Sequence, residues 1–531
     1  MENKTTPDLH VLPLFLKALL ILSLVLGIFL RFYHLNQKIY SNDETFSTTY
    51  IFGQRFLAVD DSVVGVDELQ KYQWINPDIS FNQSIQRLVL EPYVFPPVFS
   101  VGMRIWSELG THIFSNPLII QRSFSAFISL FVLVGIYWLC WELFEFHLAA
   151  WIATALVAVS PFHLQYAQVV RPYSLLAVVT LLSSAALLRA MRTKTKLSWV
   201  IYGITAIGGL YSNVLFGFVL IAHGAYVFLT ERFRFYRNLI CYLLASACSG
   251  LIFLPWFYLF MASGMSSYSV DQVSSRIPLL SLIKVWIDNI VTTFVDFYDP
   301  WAGLTQNLRY LQLFFTPLIL IITGFSFYLL FKKNPERVWL FILTLIGMTG
   351  ILLMLKDIIT GGSISTRFRY LIPTVLGLEI VVSYFLANWL SSKQSWQRTF
   401  GKVAASAILM SGIISCGIIA QTPSWSAFGS PHYPAVARTI NQATRPLVIT
   451  DNLGRAFTIS YLLDSKVQFK ILTKKASSVN VPDGYSDVFL LEVSKGLLQK
   501  LKQEQNYKIE PVLVAQNNSP KIQDIWRLEK N

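Results

Sequence analysis

Charge is scarce in this chain. Asp, Glu, Lys and Arg make up 14% of its 531 residues, where a soluble globular chain carries roughly a quarter. Apolar residues account for 54% and aromatic residues for 15%, and mean hydropathy is +0.50. That balance excludes an ordinary soluble enzyme and points to an integral membrane protein. Cysteine is scarce too. Cys140, Cys241, Cys248 and Cys416 all lie inside apolar runs, and no two have metal-ligand spacing; they read as small core hydrophobes. The chain has no internal repeat and no low-complexity tract. It also lacks a cleavable signal pattern. The first apolar run, roughly residues 11–32, is too long for a signal core and has no small-residue cleavage site. It is expected to be a retained first helix.

What is present is a series of long apolar runs. A spanning helix needs about 20 mostly apolar residues. Runs of that kind centre near Leu22, Leu130, Ala155, Thr180, Ala206, Leu220, Leu251, Ile319, Leu345, Ile380 and Leu409, which predicts about eleven spans. The pair around Ala206 and Leu220 must turn at "GGLYSNVLFGF", because one helix there would be far too long.

The formal charge of +13 would suit nucleic acid in a soluble protein. Here its distribution says otherwise. Four links are strongly basic: "RAMRTKTK" (189–196), "ERFRFYR" (231–237), "KKNPER" (332–337) and "KQSWQRTFGK" (393–402). All four fall on one side if the N-terminus is cytoplasmic, as the excess of Lys and Arg in cytoplasmic loops requires. The expectation is a multi-pass protein of the cell (inner or plasma) membrane that contacts membrane lipids and binds no nucleic acid.

The other side holds the large loops. The first, residues 34–116, carries nine acidic and five basic residues. Within it, "PPVFSVGMRIWSELG" places Val98, Val101, Ile105 and Leu109 at helical spacing, as in a helix lying in the membrane interface. A second outer loop covers about 263–306. After Gln421 the composition changes. "RPLVITDN", "VQFKIL", "DVFLLEV" and "YKIEPVLVA" read as strands, and "GRAFTISYLLD" and "KGLLQKLKQEQ" as helices. The chain thus divides into a transmembrane part, 1–420, and a small extracytoplasmic α/β domain, 421–531.

Chemistry-bearing residues collect at the outer face. "KIYSNDETFSTTY" (38–50) puts Asp43 and Glu44 just past the first span, where ionisable groups often serve a purpose. The plain alternative is a pair of hydrated loop acids. "EPYVFPPVFS" (91–100) adds Glu91 beside a Pro-Pro pair that stiffens the entry to a helix. "SPFHLQYAQVVRPYSLL" brings Gln165, Gln168, Arg171 and Tyr173 to the outer surface. "GGSISTRFRYLIP" brings Arg367, Arg369 and Tyr370 to the outer mouth of the tenth span. Arginines are suited to holding a phosphate anion, though snorkelling beside lipid is the simpler use.

A carboxylate pair with arginines at bilayer level fits one chemistry well. A lipid-phosphate-linked sugar presents its anomeric carbon at the membrane surface. The phosphate is a competent leaving group whose growing charge the arginines stabilise. The acceptor hydroxyl needs a base, which one carboxylate supplies. Hydrolysis by two flanking acids fits less well, since it needs carboxyls about 5 to 9.5 Å apart across the bond. Sequence neighbours in extended chain point in different directions, so only one of Asp43 and Glu44 is expected to face the reacting centre.

The elements "SNDET", "EPYVFPPVF", "QVVRPYSLL" and "RFRYLIP", in that order and with a long first outer loop, resemble the GT-C fold membrane glycosyltransferases. The resemblance is to family 39, which joins protein O-mannosyltransferases with aminoarabinose lipid A transferases, and it covers roughly residues 10 to 420. It implies a polyprenyl-phosphate-sugar donor, reaction on the outer face, and an acidic residue of the first loop as base. Carried over, Asp43 is the base and Glu44 its catalytic neighbour. Glu91, Arg171, Tyr173, Arg367, Arg369 and Tyr370 are the candidate substrate-binding residues. Many members have His or Lys before the Pro-Pro pair; here it is Phe95, which moves phosphate binding onto the arginines. No cofactor or metal is implied, although an acidic pair is able to bind a divalent ion. The acceptor is a lipid, glycan or protein hydroxyl. Two competing functions share these features in part: a flippase or transporter for a lipid-linked glycan, and a polysaccharide polymerase or ligase. Transporters commonly show inverted repeats and polar groups at mid-membrane; here no repeat is seen and the ionisable groups lie at the surface.

Overall fold

The structure is a computed structural model that describes residues 12–52, 62–91, 95–234, 236–263, 277–299, 303–423, 425, 432–472, 481–503, 507–512 and 525–530. Residues 92–94 of the Glu91 element, residues 264–276 and 300–302 of the second outer loop, and the end of "YKIEPVLVA" lie outside the described residues.

The first span, α1 (Leu14–Phe32), leads into a short helix, α2 (Asn42–Phe52). The rest of the first outer loop folds as β1 (Val63–Gly65), α3 (Val66–Lys71), α4 (Phe81–Leu90) and α5 (Pro97–Gly110). Of the expected stripe on α5, Val98, Ile105 and Leu109 are exposed and Val101 is half-buried, while Phe99 and Met103 are buried. The bundle continues with α6 (Pro117–Phe144), α7 (His147–Ala158), α8 (Pro161–Ala167), α9 (Tyr173–Thr193), α10 (Lys196–Leu210), α11 (Phe216–Thr230) and α12 (Arg237–Ala262). Then come α13 (Leu279–Thr292), α14 (Arg309–Lys333), α15 (Glu336–Ile346), α16 (Leu352–Thr360), α17 (Ile372–Leu390) and α18 (Ser395–Gln421).

Eight helical segments are long and apolar enough to cross a membrane, nine if α7 and α8 form one broken span. The two remaining expected spans, α10 and α11, have 15 residues each. That is about 22 Å at the α-helical rise, short of a ~30 Å hydrocarbon core. The described residues therefore carry eight or nine full-length spans and two shorter apolar helices, and the count of about eleven read from hydropathy is not confirmed.

The segment Phe368–Leu390 is 94% buried and forms the centre of the bundle, whereas α12 and α14 are only 28% buried and form its apolar outer wall. The break between α7 and α8, a bend of 57°, falls where Pro161 begins the second helix, since proline cannot donate to the preceding turn. The carbonyls freed there find a donor in Arg31 of α1, which bonds Ala158 O at 2.7 Å and Val157 O at 3.0 Å. Gly27 permits the approach: a Cβ at that position would lie 2.3 Å from Ala158 O.

The basic links gather at one end of the bundle. Arg192, Lys194, Glu231 and Arg337, from three different links, line a single cavity. Lys333 reaches Asn388 at the end of α17, 2.7 Å away, next to the fourth link. Asp43, Arg171 and Arg369 are at the other end.

After α18 the chain forms α19 (Tyr433–Gln442), β2 (Pro446–Thr450), α20 (Leu453–Ser460), β3 (Gln468–Ile471), β4 (Asp487–Leu491), α21 (Lys495–Gln503), β5 (Tyr507–Pro511) and β6 (Ile525–Lys530). The six-stranded sheet has the order β1-β3-β2-β4-β6-β5. β2 runs parallel to both β3 and β4 and is buried at every position, as parallel strands covered on both faces are. Its edge strand β1 comes from the first outer loop, with Val63 opposite Lys470. Val64, Val66 and Leu69 complete its core beside Phe457 and Phe469. The α/β unit is thus built from two parts of the chain nearly 400 residues apart.

Candidate functional site

The site begins with a helix start. Ser41 and Glu44 form a reciprocal cap: Glu44 N–H donates to Ser41 Oγ (3.1 Å) and Ser41 N–H donates to Glu44 Oε2 (2.9 Å). This capping box starts α2 at Asn42, so residues 42–52 are helical where extended chain was expected. Successive side chains then diverge by about 100°, and Asp43 and Glu44 still face different surroundings.

Glu44, read with Asp43 as catalytic, points inward. It is fully buried, accepting from Arg122 Nε (2.9 Å), Arg122 Nη2 (2.9 Å) and the Val170 N–H (3.1 Å). Arg122, on α6, also donates to the carbonyls of Leu35 (2.6 Å), Lys38 (3.0 Å) and Ile39 (3.0 Å). Lys38 in turn donates to Ile419, Ala420 and Thr422 carbonyls at the end of α18. These bonds fix α2 against the bundle. None of them could be read from the sequence, because Arg122 lies inside an apolar span.

Asp43 points outward, its side chain 35% exposed. Its Oδ1 is 3.5 Å from Arg171 Nη2, and its Oδ2 is 2.8 Å from Arg369 Nη1. The structure thus unites residues from three of the four sequence elements singled out above. Burial works to raise the Asp43 carboxyl, but Arg171, Arg369 and Arg367 outweigh it and hold it below the usual carboxylate range. Arg171 packs over the Phe95 ring at 5.0 Å, a guanidinium stacked on an aromatic face. Tyr173, at the start of α9, is buried edge-on to Tyr166, ring centroids 5.2 Å apart. Arg369 also lies over the Tyr370 ring at 5.5 Å. Glu91 is exposed at the end of α4, and its carbonyl accepts from the Tyr50 hydroxyl at 2.6 Å. Gln168 is structural, capping α1 through the carbonyls of Leu30 (2.9 Å) and Tyr33 (3.0 Å).

Beside Arg369 lies an open cleft of about 600 Å³, within the range of small-molecule sites. Gln165, Asp288, Asp296, Arg309, Arg367 and Arg369 contribute to its wall. Sequence reading missed Asp296, which falls in the second outer loop with no motif around it. The arrangement offers an ionised carboxylate, several guanidiniums and an adjoining polar cleft in one place. It can hold a phosphate anion and accept a proton from a hydroxyl.

No protein-family model matches the chain, and no curated protein matches it by sequence. Among solved structures it is similar to ArnT from Cupriavidus metallidurans. In the apo state the identity is 12% and the TM-score 0.51; bound to undecaprenyl phosphate they are 13% and 0.53. In both comparisons 97% of this chain and 97% of that chain are covered. The chain is a polytopic helical membrane protein with the GT-C fold.

Proposed function

We propose that the protein is a glycosyltransferase that moves a sugar from a polyprenyl-phosphate donor to an acceptor hydroxyl at the extracytoplasmic face. The observation that carries this reading is the bridge from Asp43 to both Arg171 and Arg369, at the end of the bundle opposite the basic links. The charge bias of membrane loops supports a cytoplasmic basic end, with Asp43 and the sheet domain outside. The undecaprenyl phosphate bound to the ArnT neighbour supports a lipid of that class.

In this reading Asp43 is the base, and Arg171, Arg367 and Arg369 hold the donor phosphate. The arginines exchange Asp43 for the phosphate when the donor arrives. The acceptor O–H gives its proton to Asp43 as its oxygen forms a bond to the anomeric carbon. The bond from that carbon to the phosphate oxygen breaks, and its electron pair leaves on polyprenyl phosphate, whose new charge the guanidiniums stabilise. One displacement inverts the anomeric centre. Glu44 acts at a distance, by fixing α2.

The test uses purified protein in detergent with a polyprenyl-phosphate monosaccharide. Polyprenyl phosphate should be released only when acceptor is present, and Asp43→Asn should abolish release while unfolding at the wild-type temperature. Full activity in that variant removes Asp43 from this role. Movement of intact donor across a bilayer without cleavage would favour transport.

A further inference from the structure

We infer that Asp296 selects the donor sugar, its carboxylate accepting a hydrogen bond from one hydroxyl of the glycosyl unit in the cleft beside Arg367 and Arg369. This deepens the transferase reading and rests on it.

Asp296 follows α13, is 4% exposed, and contributes to the cleft wall. Trp425 Nε1 (2.7 Å) and Gln165 Nε2 (3.1 Å) both donate to the same oxygen, Oδ2. Oδ1 accepts no hydrogen bond among the described residues. Oδ1 is open to the cleft rather than sealed in the protein; a ligand that fills the cleft displaces its water, and leaves the oxygen unpaired at a cost in free energy unless it brings a donor of its own. A ligand hydroxyl entering the cleft supplies the missing donor.

The carboxylate is also held still. The Asp296 N–H donates to Ser415 Oγ of α18 at 3.0 Å. Gln312 of α14 accepts from the Phe297 N–H (2.9 Å) and donates to the Val295 carbonyl (3.0 Å). Residues 295–297 are therefore pinned from two helices, the rigidity a discriminating contact needs. Asn289 and Thr316 add further polar groups to the wall, and Trp425 adds an indole. Amides and carboxylates for sugar hydroxyls, and an aromatic surface for C–H groups, make a lining suited to a saccharide. Burial pushes the Asp296 carboxyl up to about 7 against the Trp425 hydrogen bond. A hydroxyl donated to Oδ1 favours the ionised form.

A site that hydrogen-bonds a particular hydroxyl rejects the analogue that cannot offer it, because the buried acceptor is then left unpaired. The experiment gives the full-length protein a panel of undecaprenyl-phosphate monosaccharides that differ in configuration at one hydroxyl, with sugar-free undecaprenyl phosphate as a binding probe. Asp296→Asn should leave binding of the sugar-free lipid within about twofold. It should lower kcat/KM for the preferred donor about 10- to 100-fold and compress its advantage over one epimer by a similar factor. Trp425→Phe, which keeps the acid but frees Oδ2, should compress the same ratio less, and it decides the matter if Asp296→Asn does not fold. An unchanged donor ratio in a folded variant, with wild-type protein active, overturns the inference alone. If wild-type protein cleaves no lipid-phosphate sugar, the transferase reading falls and the inference falls with it.

Discussion

Arg122 grips both oxygens of Glu44, Nε to Oε1 and Nη2 to Oε2, each at 2.9 Å, with neither side chain reaching solvent. Removing one partner strands a buried charge, at a cost of about 3–5 kcal/mol. Glu44→Gln and Arg122→Gln should each lower the thermal midpoint in detergent sharply. The double variant should lose less than the sum of the two, as directly interacting residues do. Additive losses would show that the two side chains are not coupled.

Asp43 makes a prediction about pH. With no donor bound, the three arginines keep its carboxyl below its ordinary value despite burial. It is therefore ionised, and competent as a base, down to acid pH. A phosphate on the same arginines neutralises part of their field, so the Asp43 pKa rises in the complex. The profile of kcat/KM reports the free enzyme and that of kcat the complex. The acid limb of kcat should therefore lie at higher pH than the acid limb of kcat/KM. Coincident limbs, or the reverse order, would contradict the exchange of Asp43 for phosphate.

Arg369 both reaches Asp43 at 2.8 Å and contributes to the cleft wall. Lysine keeps its charge but not its planar fork. Binding of undecaprenyl phosphate at fixed ionic strength should weaken in the order Arg369, Arg369→Lys, Arg369→Gln, with the last step about tenfold or more. Equal affinity across the series would place the phosphate elsewhere.

What could be read in the sequence follows from how local each signal is. The basic links needed only charge and hydropathy, and they do gather at one end. "SNDE" holds a legible capping box, Ser41 with Glu44 three residues on, yet a cap alone does not make a helix, and the 11 residues that follow become one only with Arg122 and the Val170 N–H holding Glu44. β1 was hidden: Val63–Gly65 is three residues long and becomes a strand only through its pairing with β3. The Asp296–Trp425 bond spans 129 residues, and the Arg122–Glu44 pair spans 78. No local pattern encodes contacts at such separations. The cluster of Asp43, Arg171 and Arg369 was approached only through the order of several motifs.

The sheet domain touches α2 directly, and this sets a last prediction. Gly454, in the first turn of α20, faces the start of α2: a Cβ there would lie 2.8 Å from Asn42 Oδ1 and 3.4 Å from the Phe46 ring. Thr458, one turn on, shares a hydrogen bond with Thr45 at 3.2 Å. Asn42 immediately precedes Asp43, so a side chain at 454 displaces the Asn42 side chain, and a larger one also crowds the Phe46 ring, on the turn that carries the base. Misplacing a reacting group by about 1 Å can cost as much as 10²-fold in rate. Gly454→Ala should lower kcat modestly and Gly454→Val by about tenfold or more, with undecaprenyl phosphate affinity nearly constant. Hydrogen exchange should show faster opening in α2, while β2 and β4 stay protected. Wild-type kcat in both variants would mean that the domain rests beside α2 without positioning it.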